Sequence, residues 1–275
     1  MLPASAQIVT ENAGIVSPEA PILRESLGFF DAENLREARW TSQFIFALGE
    51  QRELKFSLPV VWRESTFQPS GGSEETADLF GLGDASIRLK QSLWQKDDIM
   101  ESTRWALLTE LGLPTGEDAE EKDGAEVPRR LQLGSGDWSM GLGSAFTVIR
   151  DRHRVSVEGL YRHRTRHDDI QLGSSAELNL AYWYRLSPAA FQAGEEVTEV
   201  RGVLELLSAY RFPSEIGTDS QDDDGTLIWF APGIQIYPGT SVLFEASVQV
   251  PILQDLDDAV GDRNWAASLV VKFLF

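Results

Sequence analysis

Apolar side chains recur at every second position along most of the chain, the period of strands whose two faces differ chemically. In residues 53–63 the apolar set is Leu54, Phe56, Leu58, Val60 and Trp62, while Glu53, Lys55, Ser57 and Arg63 share the other face. Residues 84–96 repeat the pattern with Ala85, Ile87, Leu89 and Leu93 against Ser86, Arg88, Lys90 and Ser92. Residues 103–113 set Trp105, Leu107, Leu111 and Leu113 against Arg104, Ala106, Leu108 and Glu110. The same reading predicts strands over 39–48, 138–149, 154–164, 176–186, 198–211, 227–237, 241–250 and 264–275, eleven in all. The one long uncharged stretch, 225–244, is broken by Tyr237-Pro238-Gly239-Thr240, which reads as a hairpin turn because Pro fixes φ and Gly permits φ > 0.

The connections alternate in length. Residues 49–51, 97–100, 150–153 and 238–240 are short, whereas 64–83, 115–136, 212–225 and 252–263 are long and mostly acidic. Residues 188–197 are a longer exception on the short side, and 167–173 a modest loop on the long side. Outer-membrane barrels show this asymmetry, with short periplasmic turns and long extracellular loops. With both chain ends on the short-turn side the strand number must be even, so a twelfth strand is expected within 21–35, where alternation is poor and a short helix in the barrel mouth is the alternative.

The polar face decides between a soluble sandwich and a membrane barrel. A twelve-stranded closed sheet has a radius on the order of 12 Å, too wide for one layer of Val and Leu to fill. Apolar residues facing out and charged residues facing in resolve this, and lead to an all-β, transmembrane, antiparallel up-and-down barrel. Trp40, Trp62, Trp105, Trp138, Tyr237 and Trp265 then fall near strand ends on the outward face, as an interfacial aromatic girdle would. The last strand steps through Ala267, Leu269, Val271 and Phe273 to Phe275, and Phe273 and Phe275 resemble the terminal signal read by the outer-membrane assembly machinery.

Composition narrows the functional classes. The 275 residues carry a formal charge of −19, which repels nucleic acid. No cysteine is present, so disulfides, thiolate metal sites and Cys nucleophiles are excluded, and three histidines leave little for other metals. No apolar run is long enough for a spanning helix. At the N-terminus Ala4-Ser5-Ala6-Gln7 has the small-x-small form of a signal-peptide cleavage site, so residues 1–20 are expected to be a leader remnant and flexible segment, followed by one barrel over 21–275.

Three segments, Gly81-Leu82-Gly83-Asp84-Ala85-Ser86-Ile87-Arg88-Leu89-Lys90, Leu111-Gly112-Leu113-Pro114-Thr115-Gly116-Glu117 and Leu133-Gly134-Ser135-Gly136-Asp137-Trp138, resemble in order and spacing those of the outer-membrane channels named after the MetA pathway of phenol degradation. Ala231-Pro232-Gly233-Ile234-Gln235-Ile236, followed by Glu245-Ala246-Ser247-Val248-Gln249-Val250-Pro251, resembles that family's penultimate hairpin. The resemblance runs from about residue 40 to 275. It implies a twelve-stranded monomeric barrel of the bacterial outer membrane that passes small compounds, hydrophobic or aromatic ones among them. The acidic insert 117–126 and the weak first strand depart from the family pattern.

The candidate functional residues are the inward charges: Arg88, Lys90, Arg104, Arg162, Arg185, Arg201 and Lys272 with Glu110, Glu158, Glu205 and Glu245. They either line an open, selective pore or pair across the lumen and close it; a narrow, partly open pore is the expectation. A closed barrel acting through its acidic loops is the alternative. His163 and His167 are spaced about 13 Å apart on a strand and cannot share an ion. The arginine-rich run 150–166 reads as solvated strand ends, with lipopolysaccharide phosphate as a second partner besides the bilayer. Asp219 with Asp222, Asp223 and Asp224, and Asp255, Asp257, Asp258 and Asp262, read as solvated loops rather than calcium sites. No cofactor and no catalytic residue is expected, since a Ser–His pair has no recognisable motif here.

Overall fold

The computed structural model of the chain describes residues 10–68, 74–122, 125–190, 197–256 and 261–275. Thirteen strands share one antiparallel sheet: β1 (Ile22–Ala32), β2 (Leu35–Ala47), β3 (Arg52–Phe67), β4 (Glu75–Leu82), β5 (Ala85–Asp97), β6 (Glu101–Leu113), β9 (Ser139–Arg150), β10 (His153–Arg164), β12 (Ser175–Ser187), β13 (Glu199–Arg211), β16 (Gly225–Tyr237), β17 (Val242–Leu256) and β18 (Arg263–Leu274). The remainder are two-residue ladders in the long loops, β7 (Glu121–Lys122) with β8 (Ala125–Glu126), and β11 (Ile170–Gln171) with β14 (Glu215–Ile216) and β15 (Asp219–Ser220). Pairing of β1 with β18 and of β2 with β3 closes the sheet. β4 and β5 follow each other along the same edge of β3, so the barrel has twelve staves.

The twelfth strand is β1, as the parity of the chain ends requires. Ile22 pairs with both Ile45 and Leu274, which puts the start and the end of the barrel at the short-turn rim. A two-residue turn, 33–34, joins β1 to β2, so the opposite rim also has one tight connection. Residues 64–83, expected as a loop, are mostly strand: β3 runs to Phe67, and β4 returns alongside it. Here the inner face turns apolar, with Val61, Phe67, Ala77 and Leu79 buried, while Asp78 and Glu64 face out, so the polar-in pattern no longer marks a strand.

That inner apolar patch has a partner. The loop after β6 folds back into the long-loop mouth through one 3-10 turn (Arg129–Leu131) and places Val127, Leu131 and Leu133 against Phe30, Leu35, Val61 and Leu79. Arg63 ties the loop down, donating to Glu37 and to the carbonyl of Gln132. Both side chains of the Arg63–Glu37 pair are 1% exposed. Removing one partner of such a pair strands the other charge, so we expect Arg63→Ala to lower unfolding free energy by about 3–5 kcal/mol, and the double change Arg63→Met with Glu37→Met to cost much less. Chemical unfolding of the refolded barrel in micelles measures both.

Outside, the sheet presents Leu27, Phe44, Leu58, Phe80, Leu107, Leu142, Phe146, Leu178, Leu204 and Leu269, all exposed. Inside, residues such as Glu53, Lys90, Glu158, Glu205 and Glu245 are buried. An apolar surface around an ionised interior suits only a bilayer, where a closed barrel leaves no unpaired edge. No described helix is long and apolar enough to cross a membrane, which says nothing against strands doing so.

Candidate functional site

Each of the eleven expected charges points inward. Phase explains it: even positions of β5 as far as Ser92, of β6 and β10, and of β18 from Ala266, and odd positions of β12, β13 and β17, face the lumen. Partners on the wall engage them there. Arg88 bonds Glu110 at 2.6 Å and lies 3.3 Å from Glu158; Arg162 bridges Glu110 at 2.9 Å and Glu177 at 2.7 Å. Lys272 holds Glu245 at 2.8 Å and Lys90 holds Glu53 at 2.9 Å. Nearer the short-turn rim Arg104 meets Asp97 at 3.3 Å, Arg185 meets Asp151 at 3.6 Å, and Arg201 meets Glu199 at 2.7 Å.

The lumen also holds part of the segment expected to be a leader remnant and flexible tail. Residues 10–16 run inside the barrel, and their backbone amides donate to wall side chains: Thr10 to Glu205 (2.9 Å), Glu11 to Glu158 (2.8 Å), Ala13 to Thr147 (2.9 Å) and Val16 to Glu53 (3.0 Å). An extended chain cut off from water must find partners for these donors, and the wall carboxylates supply most of them. The side chain of Glu11 accepts from Lys55 at 2.6 Å and Lys90 at 3.1 Å and lies 3.5 Å from Arg88. Burial works to raise the Glu11 carboxyl, but Lys55, Lys90 and Arg88 outweigh it and hold it well below the usual carboxylate range. At Gly14 a Cβ would sit 2.9 Å from the Arg104 guanidinium, so the segment passes closely. Ala4-Ser5-Ala6-Gln7 lies outside the described residues.

Around this segment remains a cavity of about 510 Å³. Nine Lys and Arg and seven Asp and Glu side chains line it, Glu11 included. Arg185, Arg201 and Glu205 face inward without lining it. Tyr237 needs correction: expected in the outer girdle, it lies on the inner face beside Gln235, lines the cavity, and accepts from Arg201 at 3.1 Å. The wall residues absent from the sequence-based set include Lys55, Thr147 and Trp183. Two of them carried a signal, since Lys55 lies in phase with Glu53 and Ser57 on β3, and Thr147 with Ala145 on β9.

Trp40, Trp62, Trp105, Trp138 and Trp265 are exposed on the outer surface. Trp40 and Trp62 sit within β2 and β3 rather than at their ends, because both strands extend further than alternation indicates. Trp40 donates to Glu25 at 2.5 Å and Trp105 to Ser144 at 2.7 Å. Phe273 and Phe275 are exposed, and the Phe275 amide bonds the Pro21 carbonyl at 3.1 Å.

The long-loop rim is internally bonded. Asp84 accepts from Gly116 and Ser135, Arg164 lies 3.5 Å from Asp137, and burial pushes the Asp137 carboxyl up despite Arg164. Asp223 accepts from Ser214 and Arg211, and Asp224 from Tyr210, so these carboxylates are engaged by protein groups. Among the described residues no three His, Cys, Asp or Glu side chains gather as a metal site; Asp257 and Asp258 lie outside them. The arginine-rich run divides between the rims: Arg150 pairs with Glu101 at one, and Arg166 with Glu215 at the other.

Comparison with solved structures places this geometry. An outer membrane channel from Pseudomonas putida F1 superposes with a TM-score of 0.76 at 15% identity, covering 98% of this chain and 100% of that one. LpxR from Salmonella typhimurium matches with a TM-score of 0.50 at 10% identity, over 92% and 100%. At such identities the likeness is one of fold, an outer-membrane barrel. A family model described as "Putative MetA-pathway of phenol degradation" matches residues 30–205, well over half of the sequence. The chain is therefore an outer-membrane barrel that belongs to the phenol-degradation MetA-pathway family.

Proposed function

We propose that the protein is a passive diffusion channel for small molecules, held narrow at rest by its own residues 10–16. The observation that carries this reading is the bonding of that segment through side chains of the wall rather than through a strand ladder. Such bonds can be exchanged for water without breaking the barrel. Small hydrophobic or aromatic compounds are the proposed permeants: the family is described by phenol degradation, and a phenol-like molecule joins an aromatic body to one polar group. Both parts find a match in a cavity whose charged wall gives way to Ile22, Ile45, Leu243 and Leu274. Outward tryptophans anchor the barrel at the bilayer interfaces, Phe273 and Phe275 present the assembly signal, and the barrel works as a monomer, with lipopolysaccharide meeting the arginines of the long-loop rim.

Conductance in planar bilayers tests the channel, and reversal potential in a salt gradient tests its lining. Nine cationic against seven anionic cavity side chains should give weak anion preference, because acidic loops beyond about 8 to 10 Å are screened. Removing the segment also removes Glu11, so the preference should grow. Cation preference in both forms would mean that the loops govern the pore. Silence in both would leave a closed barrel acting through its loops.

A further inference from the structure

We infer that the short-turn end of the lumen holds a binding site for a small carboxylate with an apolar body, centred on Arg154 and Trp183. The inference rests on the channel reading for the route by which such a molecule arrives.

Arg154 stands apart from its neighbours. Of the nine cationic side chains lining the cavity, the other eight each have a carboxylate within ion-pair distance. Arg154 has none among the described residues. Its guanidinium lies instead over the Trp183 ring, 5.7 Å from the centroid. Trp183 is 4% exposed, and its indole N–H is buried without an acceptor among the described residues. A cation without an anion and a donor without an acceptor, on adjacent staves β10 and β12 where Arg154 and Trp183 are register partners, leave two unmet demands in one place. A buried donor left unbonded is costly, and such groups commonly mark a missing ligand or water.

The nearby groups define what fits. Arg201 on β13 is already committed, bonding Glu199 with two nitrogens and stacking 4.6 Å from the Tyr237 ring. It supplies positive potential and leaves the Tyr237 hydroxyl hydrogen free to donate. Beyond Tyr237 the same rim of the cavity is apolar, with Leu243, Leu274, Ile22 and Ile45. A carboxylate can take the guanidinium fork and the indole N–H while its hydrocarbon part lies against this wall. Inorganic phosphate satisfies the charge but gains nothing from the wall; a neutral alcohol does the reverse.

Calorimetric titration of the refolded full chain in micelles, with benzoate as probe, decides the matter. Benzoate should bind, with benzyl alcohol and inorganic phosphate each at least about tenfold weaker. Arg154→Gln should weaken benzoate about 10- to 100-fold, and Trp183→Phe, which keeps a ring but loses the N–H, about 3- to 10-fold. Arg150→Gln, at an exposed pair on the turn, should change nothing. Should Arg154→Gln fail to fold, Arg154→Lys keeps the charge without the planar fork and should bind severalfold more weakly. No benzoate binding to the folded protein, equal binding of benzoate and phosphate, or binding unaffected at Arg154 would each overturn the site. Conductance measured on the same samples separates that outcome from failure of the channel reading, since a channel that conducts without binding benzoate loses the site alone.

Discussion

Deleting residues 1–16 should raise single-channel conductance severalfold and leave the folded barrel intact. An extended chain with its side chains is about 10 Å across, comparable with the free width of a lumen bounded by a wall on the order of 12 Å in radius. Its removal should therefore multiply the open area rather than trim it. The wall survives because its staves bond one another and β1 begins at Ile22, beyond the deletion. Glu53, Glu158 and Glu205 lose amide donors, but each then faces water that replaces them. Glu11→Ala should give an intermediate result, since it frees Lys55 and Lys90 while the backbone bonds of Thr10, Ala13 and Val16 remain. Unchanged conductance on deletion would show that residues 10–16 do not limit passage.

A charge on the outer face should instead damage assembly. Leu269 faces out, exposed, between Leu27 on β1 and Ala246 on β17. An arginine there must enter lipid, at about 2–4 kcal/mol near the midplane and less toward an interface. Leu269→Arg should therefore reduce the yield of folded, heat-modifiable barrel sharply. The lumenal comparison is Ser86→Arg, which lines the cavity; Ser268, although inward, is packed 3.0 Å from Ser247 and would confound charge with crowding. Loss of folding for Ser86→Arg together with tolerance of Leu269→Arg would reverse the two faces.

How much of this fold is legible in the sequence depends on whether chemistry and phase agree. In β10, and in β5 as far as Ser92, the inner face is largely polar or charged and the outer face largely apolar, and alternation places the side chains correctly. In β1 they disagree: Glu25 and Asp31 face out while Phe30 and Ala32 face in, toward the loop carrying Leu131 and Leu133. That strand can be inferred only from parity. Residue type misplaces Tyr237, since aromatic side chains suggest an interface, although its phase with Gln235 puts it inside. Residues 10–16 give no periodic sign because they pair with side chains, which impose no period on a sequence. The polar run Thr10-Glu11-Asn12, followed by Ala13-Gly14-Ile15-Val16, is the one hint.

If movement of residues 10–16 opens the lumen, tethering them to the wall should keep it shut, and the absence of native cysteine allows such a tether to be built cleanly. The Ala13 amide lies 2.9 Å from the Thr147 hydroxyl, close enough for an Ala13→Cys and Thr147→Cys pair to be joined as a disulfide. Conductance of this variant should be minimal when oxidised and rise severalfold in the same bilayer after reduction; equal conductance in the two states would mean that the segment does not gate the barrel.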